Sequence, residues 1–200
     1  TLRILDRHVK FLLWSRGGWK LTLSGPPELC RPLRADYSSG GARRFDVEVM
    51  EKAYGRKFVA ERVDPTEMPG RKDQSLSIGG HLDGCRIGFD LGASDYKLAA
   101  VVDGEPVFST EIPWDPVPRS DPAYHADHIR NGLKLAAAKL PRVDAIGGSA
   151  AGIYVDNQAR IASLFRSVPD DRFQAEIAPL FKTIGKEWGV PLVVVNDGDV

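Results

Sequence analysis

Apolar and polar positions alternate most clearly from residue 86 onward. Arg86-Ile87-Gly88-Phe89-Asp90-Leu91 reads as an apolar strand running into a single carboxylate, followed by a turn of small residues, Gly92-Ala93-Ser94. Tyr96 to Val102 and Val107 to Ile112 flank Asp103-Gly104, a dipeptide suited to a two-residue turn, and are predicted as a hairpin. Asp121 is placed to cap a helix with Pro122 in its first turn. Ile129, Leu133, Ala136, Ala137 and Leu140 give that helix its apolar stripe, and Pro141 ends it. Val143 to Ile146 is a short buried strand leading into the run Gly147-Gly148-Ser149-Ala150-Ala151-Gly152, and Tyr154 to Ala162 suggests a hairpin turning at Asp156-Asn157. A second helix carries Phe173, Ile177, Phe181, Ile184 and Trp188, with Pro179 expected to kink it. Leu192 to Val195 is a continuous apolar run of the kind found in central parallel strands. Three strands, then helix, strand, helix, strand, is an α/β layer order with a mixed sheet.

The first eighty residues pattern more weakly. Lys20 to Ser24 alternates as a strand does, and Gly25-Pro26-Pro27 ends it. Phe45, Val49, Met50 and Ala53 fall on one face of a predicted helix that Gly55 stops. Pro65 to Gly80 is rich in Pro, Gly, Ser and charge, and reads as a linker or surface loop. The division expected is an N-terminal α+β extension over residues 1–80 and a second domain over 81–200. The extension holds no helix-turn-helix pattern and no internal repeat.

Charge and composition narrow the function classes. Lys and Arg total 27 against 27 Asp and Glu, which makes no general case for nucleic acid or a membrane surface. Residues 1–80 hold 15 basic and 10 acidic side chains, but these are scattered and read as a solvated surface. Cys30 and Cys85 lack metal-ligand spacing and are expected as reduced thiols of a cytoplasmic protein. His125 and His128 share a predicted helix and read as exposed histidines rather than a metal pair. Phe11-Leu12-Leu13-Trp14 is too short for a signal core, and no run approaches the length of a membrane span. The chain opens on Thr1 and stops at Val200, just after an apolar strand, so a fragment of a longer protein is expected.

Candidate chemistry centres on Asp90 and the turn after it. Small residues let backbone N–H groups approach a phosphate, a serine hydroxyl adds a donor, and one carboxylate can hold magnesium directly or through water. On that reading Gly92, Ala93 and Ser94 form a phosphate turn, with Lys97 three residues on. This is neither the Walker loop nor the dinucleotide fingerprint. The plainer reading is an ordinary strand-ending turn. Ser149, in the second glycine-rich run, is a candidate donor to a substrate hydroxyl.

Asp90-Leu91-Gly92-Ala93-Ser94, followed about a hundred residues later by Val193-Val194-Val195-Asn196-Asp197-Gly198-Asp199, resembles the first half of a ROK-type sugar kinase. The ROK family belongs to the sugar kinase, actin and heat-shock-chaperone ATPase superfamily, and the resemblance covers roughly residues 85–200. It implies a ribonuclease-H-like (actin-like ATPase) lobe that binds ATP, Mg2+ and a sugar. It also implies that Asp197 is the general base, that Asn196 and Gly152 belong to the sugar site, and that Asp90 stands on the magnesium side. Asp199 is the rival carboxylate, and a helix cap is the plainer reading of Asn196-Asp197. The family's zinc cluster, second phosphate loop and adenosine pocket would lie beyond Val200. A homodimer is admitted, and neither nucleic acid nor membrane is an expected partner. Two departures leave the sugar unidentified: Ala151-Gly152 stands where the kinases usually show Pro-Gly, and no Asn-bearing sugar segment is found around Ala162-Ser163-Leu164-Phe165. The alternatives are a ROK-like sugar sensor acting through its N-terminal region, and another ATPase of the superfamily without a sugar acceptor.

Overall fold

The structure, a computed structural model, describes residues 1–70 and 80–199. The chain divides into two compact units, Thr1–Leu76 and Ser77–Val200.

The first unit runs α1 (Leu2–Arg16), β1 (Lys20–Leu23), α2 (Pro27–Asp36), α3 (Arg44–Tyr54) and β2 (Val59–Arg62), with β1 and β2 paired in parallel. Gly55 ends α3 in the left-handed conformation, φ 62°, which a residue without Cβ adopts at no steric cost. Leu13, Tyr37, Val47 and Met50 form the core. The buried face of α3 is Asp46, Val47, Met50 and Ala53. Phe45, expected on that face, is 64% exposed and stacks on Trp14 at 6.3 Å. Asp46 is buried with partners: Trp14 Nε1 donates to it at 2.7 Å and Lys10 Nζ stands 3.3 Å away.

The second unit is an α/β layer built on a mixed five-stranded sheet. Its elements are β3 (Cys85–Leu91), β4 (Asp95–Val102), β5 (Glu105–Pro113), α4 (Pro122–Ala137), β6 (Ala145–Ala150), β7 (Ile153–Val155), β8 (Gln158–Ile161), a single turn α5 (Asp170–Arg172), α6 (Leu180–Trp188) and β9 (Leu192–Asn196). Strand order across the sheet is β5-β4-β3-β6-β9, with β3-β4 and β4-β5 antiparallel, and β3-β6 and β6-β9 parallel. Asp103 and Gly104, both at positive φ, make the two-residue turn between β4 and β5. Asp121 caps α4 by accepting from the Ala123 N–H. The expected long second helix is broken: α5 passes into a π-helical stretch, Phe173–Ile177, and α6 begins after Pro179.

Every second residue of β3 (Cys85, Ile87, Phe89, Leu91) is buried, and Ile129 and Leu133 of α4 join Phe181 and Ile184 of α6 in the same core. The opposite face of β3 carries Arg86, Gly88 and Asp90. The glycine run differs from its predicted loop, because Gly147, Gly148 and Ser149 lie within β6 itself. A Cβ on Gly148 would stand 2.1 Å from the Phe89 ring, so this glycine is what lets the ring lie under the strand. β9 is an edge strand among the described residues rather than a central one. Outside it, Asn157 of the β7-β8 turn donates Nδ2 to the Leu192 carbonyl at 2.5 Å and accepts from the Val194 N–H at 2.9 Å. His125 is not exposed but fully buried, edge-on to Trp114, Tyr124 and Phe165. Cys30 and Cys85 are buried free thiols. No helix among the described residues is long and apolar enough to cross a membrane.

Candidate functional site

Three parallel strands deliver the candidate residues to one sheet edge. In register, Asp90 of β3 lies beside Ser149 of β6, which lies beside Val195 of β9; one step on are Leu91, Ala150 and Asn196. The carboxyl ends of open α/β sheets are where sites are commonly built. Neighbouring strands stand about 4.8 Å apart, so β3 and β9 are roughly 10 Å apart with β6 between them.

Asp90 points away from the core, and Ser149 Oγ donates to its Oδ1 at 2.6 Å. Lys97 of β4 is its register partner, and Glu111 of β5 is the partner of Lys97 in turn. These three side chains, with Gly88, Ala99 and Ser109, line an open hollow of about 460 Å³ on that sheet face.

The turn after Asp90 is closed on itself. Gly92 N–H donates to the Asp95 carbonyl at 2.9 Å, and a Cβ at Gly92 would come within 2.7 Å of that oxygen. Trp114 clamps the turn from outside, Nε1 donating to the Gly92 carbonyl at 2.8 Å and its N–H to the Ser94 carbonyl at 3.0 Å. Ser94 Oγ donates to Asp95 at 2.9 Å. Of the donors the sequence suggested, the backbone N–H groups of Ala93 and Ser94 and the Lys97 ammonium are without a hydrogen bond among the described residues.

At the far strand, Asn196 is a clasp. Its Nδ2 donates to the Gly152 carbonyl at 2.6 Å, and its Oδ1 accepts from the Gly198 N–H at 2.8 Å. Asn196 and Gly152 are therefore brought together, joining the connection after β6 to the 3-10 turn Asp197–Asp199. Gly152 sits at φ 149°, with the Ile161 carbonyl 2.5 Å from where a Cβ would be. Asp197 is exposed and has no ion pair among the described residues; the side chain of Asp199 lies outside them.

Tyr154 is a residue that sequence reasoning missed. Its hydroxyl is buried without a hydrogen-bond partner among the described residues. Burial raises its pKa, and the Asp197 charge raises it further. A tyrosine in a short strand gives no signal of this in the sequence.

Among the described residues no three His, Cys, Asp or Glu side chains converge on one point. Magnesium needs no such cage, since it keeps several waters and takes one or two carboxylates together with phosphate oxygens. Asp90 fits that requirement, with one carboxylate oxygen held by Ser149 and the other without a protein partner among the described residues.

No protein-family model and no curated protein matches the chain. Solved structures do resemble it. A glucokinase from Parabacteroides distasonis has a TM-score of 0.47 and 18% identity over 59% of this chain and 32% of its own. A ROK hexokinase from Thermus thermophilus has a TM-score of 0.42 and 17% identity over 56% of this chain and 34% of its own. A ROK family transcriptional regulator, a homolog of the E. coli MLC protein, has a TM-score of 0.43 and 24% identity over 58% of this chain and 28% of its own. Sugar kinases and a regulator of the ROK family are thus among the structures this chain is similar to. It spans about a third of their length.

Proposed function

We propose that residues 81–200 form a ribonuclease-H-like lobe of a ROK-type sugar kinase, which transfers the γ-phosphoryl group of ATP to a sugar hydroxyl. The observation that carries this reading is the shared edge of β3, β6 and β9, where Asp90 and Ser149 lie side by side near the strand ends and Asn196, one register step on, leads into Asp197. Phosphoryl transfer asks mainly for positioning and charge stabilisation, with a base at the attacking oxygen. Asp197, exposed and unpaired among the described residues, is the base in this proposal. As the sugar oxygen forms its bond to the γ-phosphorus, the bond from that phosphorus to the leaving ADP oxygen breaks. The hydroxyl proton passes to the Asp197 carboxylate. Such a base contributes about 10²–10⁴-fold in rate. Magnesium bound on the Asp90 side would neutralise charge on the phosphate oxygens. Ser149 fixes the Asp90 carboxylate, and the Ala93 and Ser94 N–H groups remain to meet a phosphate.

The test is Asp197→Asn in the complete protein. Sugar affinity should be retained while turnover falls by about 10²-fold or more. Undiminished turnover would remove Asp197 as the base.

A second reading, a sugar sensor without catalysis, is favoured by one specific observation: the Gly92 N–H and both polar ends of Asn196 are already engaged within the chain. Calorimetry with sugar, in the presence and absence of ATP, separates the two. A kinase gives a nucleotide-dependent heat of reaction, and a sensor gives sugar binding alone.

A further inference from the structure

The first unit contains a hollow of about 750 Å³, within the size range of small-molecule sites. Its rim is basic. Arg31 and Arg34, three residues apart on α2, share a flank of that helix, and Lys57 approaches from the segment before β2. Arg34 is steadied by donating Nε to the Ala60 carbonyl at 3.1 Å, which leaves its terminal N–H groups available. Arg31 and Lys57 have no carboxylate partner among the described residues. Ser39 adds a hydroxyl to the rim, whereas Ser38 Oγ donates to the Ala35 carbonyl at 2.7 Å. Glu51 is the one acid in the wall, and its Oε1 accepts the Phe58 N–H at 2.9 Å. Three cations against one engaged carboxylate leave a concave surface of net positive charge. Its apolar lining includes the Tyr37 and Phe58 rings, stacked at 6.4 Å.

We infer that this hollow binds a small organic molecule bearing a phosphate group. Two guanidinium groups and an ammonium offer more charge than one carboxylate would neutralise. Arginine forks match phosphate oxygens in paired hydrogen bonds. The apolar lining would take the organic body of the ligand. A nucleic acid strand would instead require cations spread along a track of successive phosphates. This site lies in a different unit from the proposed kinase edge, and neither reading depends on the other.

The experiment is calorimetric titration of the full chain with glycerol 3-phosphate, inorganic phosphate, glycerol and a single-stranded oligonucleotide. Glycerol 3-phosphate should bind with 1:1 saturation, inorganic phosphate more weakly at the same site, and glycerol not at all. Arg31→Gln and Lys57→Gln, both at exposed positions, should each weaken binding about tenfold. Lys186→Gln in the second unit should leave it unchanged. Absence of saturable heat with both phosphates at millimolar concentration, or equal affinity in all the variants, would overturn the inference. Tighter binding of the oligonucleotide with a steep salt dependence would overturn it too, in favour of a nucleic-acid surface.

Discussion

Replacing Gly148 by alanine adds one methyl group to β6 where the structure leaves no room for it. The new Cβ would stand 2.1, 2.2 and 2.5 Å from three atoms of the Phe89 ring. Phe89 cannot easily retreat, being 6% exposed and stacked on Phe181 at 6.0 Å. Overpacking of this kind typically costs about 1–3 kcal/mol, and three close contacts against a ring argue for the top of that range. Gly147, one residue earlier, meets nothing within 4 Å. There the same substitution removes freedom from the unfolded chain and should stabilise by roughly 0.5 kcal/mol. Hydrogen exchange of β3 and β6 amides, read by mass spectrometry, reports the opening free energy of this unit alone. A loss of about 3 kcal/mol corresponds to exchange roughly 100-fold faster. Gly147→Ala should slow it slightly. Adding Phe89→Leu to Gly148→Ala should recover part of the loss, since contacting residues couple by about 0.5–3 kcal/mol. Wild-type protection in Gly148→Ala, or strict additivity in the double variant, would refute this account of the glycine.

Two further predictions follow from buried polar groups. Burial holds the His125 imidazole below its ordinary pKa, so below pH 6.5 the unfolded chain takes up a proton that the folded ring refuses. The second unit should therefore lose stability as acidity rises from about pH 7.5 to about pH 5.5, by up to roughly 1.4 kcal/mol per pH unit, and His125→Gln should flatten that slope. Exchange measured across this range checks it; an unchanged slope in the variant would exclude His125 as the source. Trp14→Phe removes the 2.7 Å donor to buried Asp46 and should cost the first unit about 1–3 kcal/mol, read as faster exchange in α3. Unaltered α3 protection would mean that Lys10 and Arg43, the latter 3.8 Å from Asp46, satisfy the carboxylate by themselves.

Elements whose cause is local were legible in the sequence. The Asp103-Gly104 and Asp156-Asn157 turns, the Asp121 cap and the Gly55 stop each depend on the residues at hand, and each is found where it was read. The helices α1 and α2 were missed for physical reasons. Leu5, Val9 and Leu13 of α1 recur on one face, but only Leu13 is buried, and exposed Ile4, Phe11 and Trp14 blur the stripe. Gly25-Pro26-Pro27 read as the end of a strand, although Pro27 opens α2, where its missing N–H costs nothing, and Pro32 lies inside that helix. The glycine run looked like a loop because the occupant of its empty side is Phe89, some sixty residues away in the chain. The site shows the same split. The alternation of strands and helices was legible, while the meeting of Asp90 with Ser149, and Asn196 one step on, comes from the register. That Gly92 closes on Asp95, and that Asn196 ties down Gly152, depends on partners that no local pattern reveals. Tyr154 was invisible for the same reason.

The grip of Asn157 on β9 has a consequence for how this sheet behaves toward other chains. An unpaired border offers alternating carbonyl and amide groups to any extended peptide, which is the usual route to unwanted self-assembly. Asn157 plugs one carbonyl and one amide of that border with a single side chain, imitating the next strand without supplying one. Its backbone, at φ 58°, belongs to the hairpin turn, so the plug is anchored by the same bend that builds it. One residue thus shapes a corner of the fold and guards one border of its sheet.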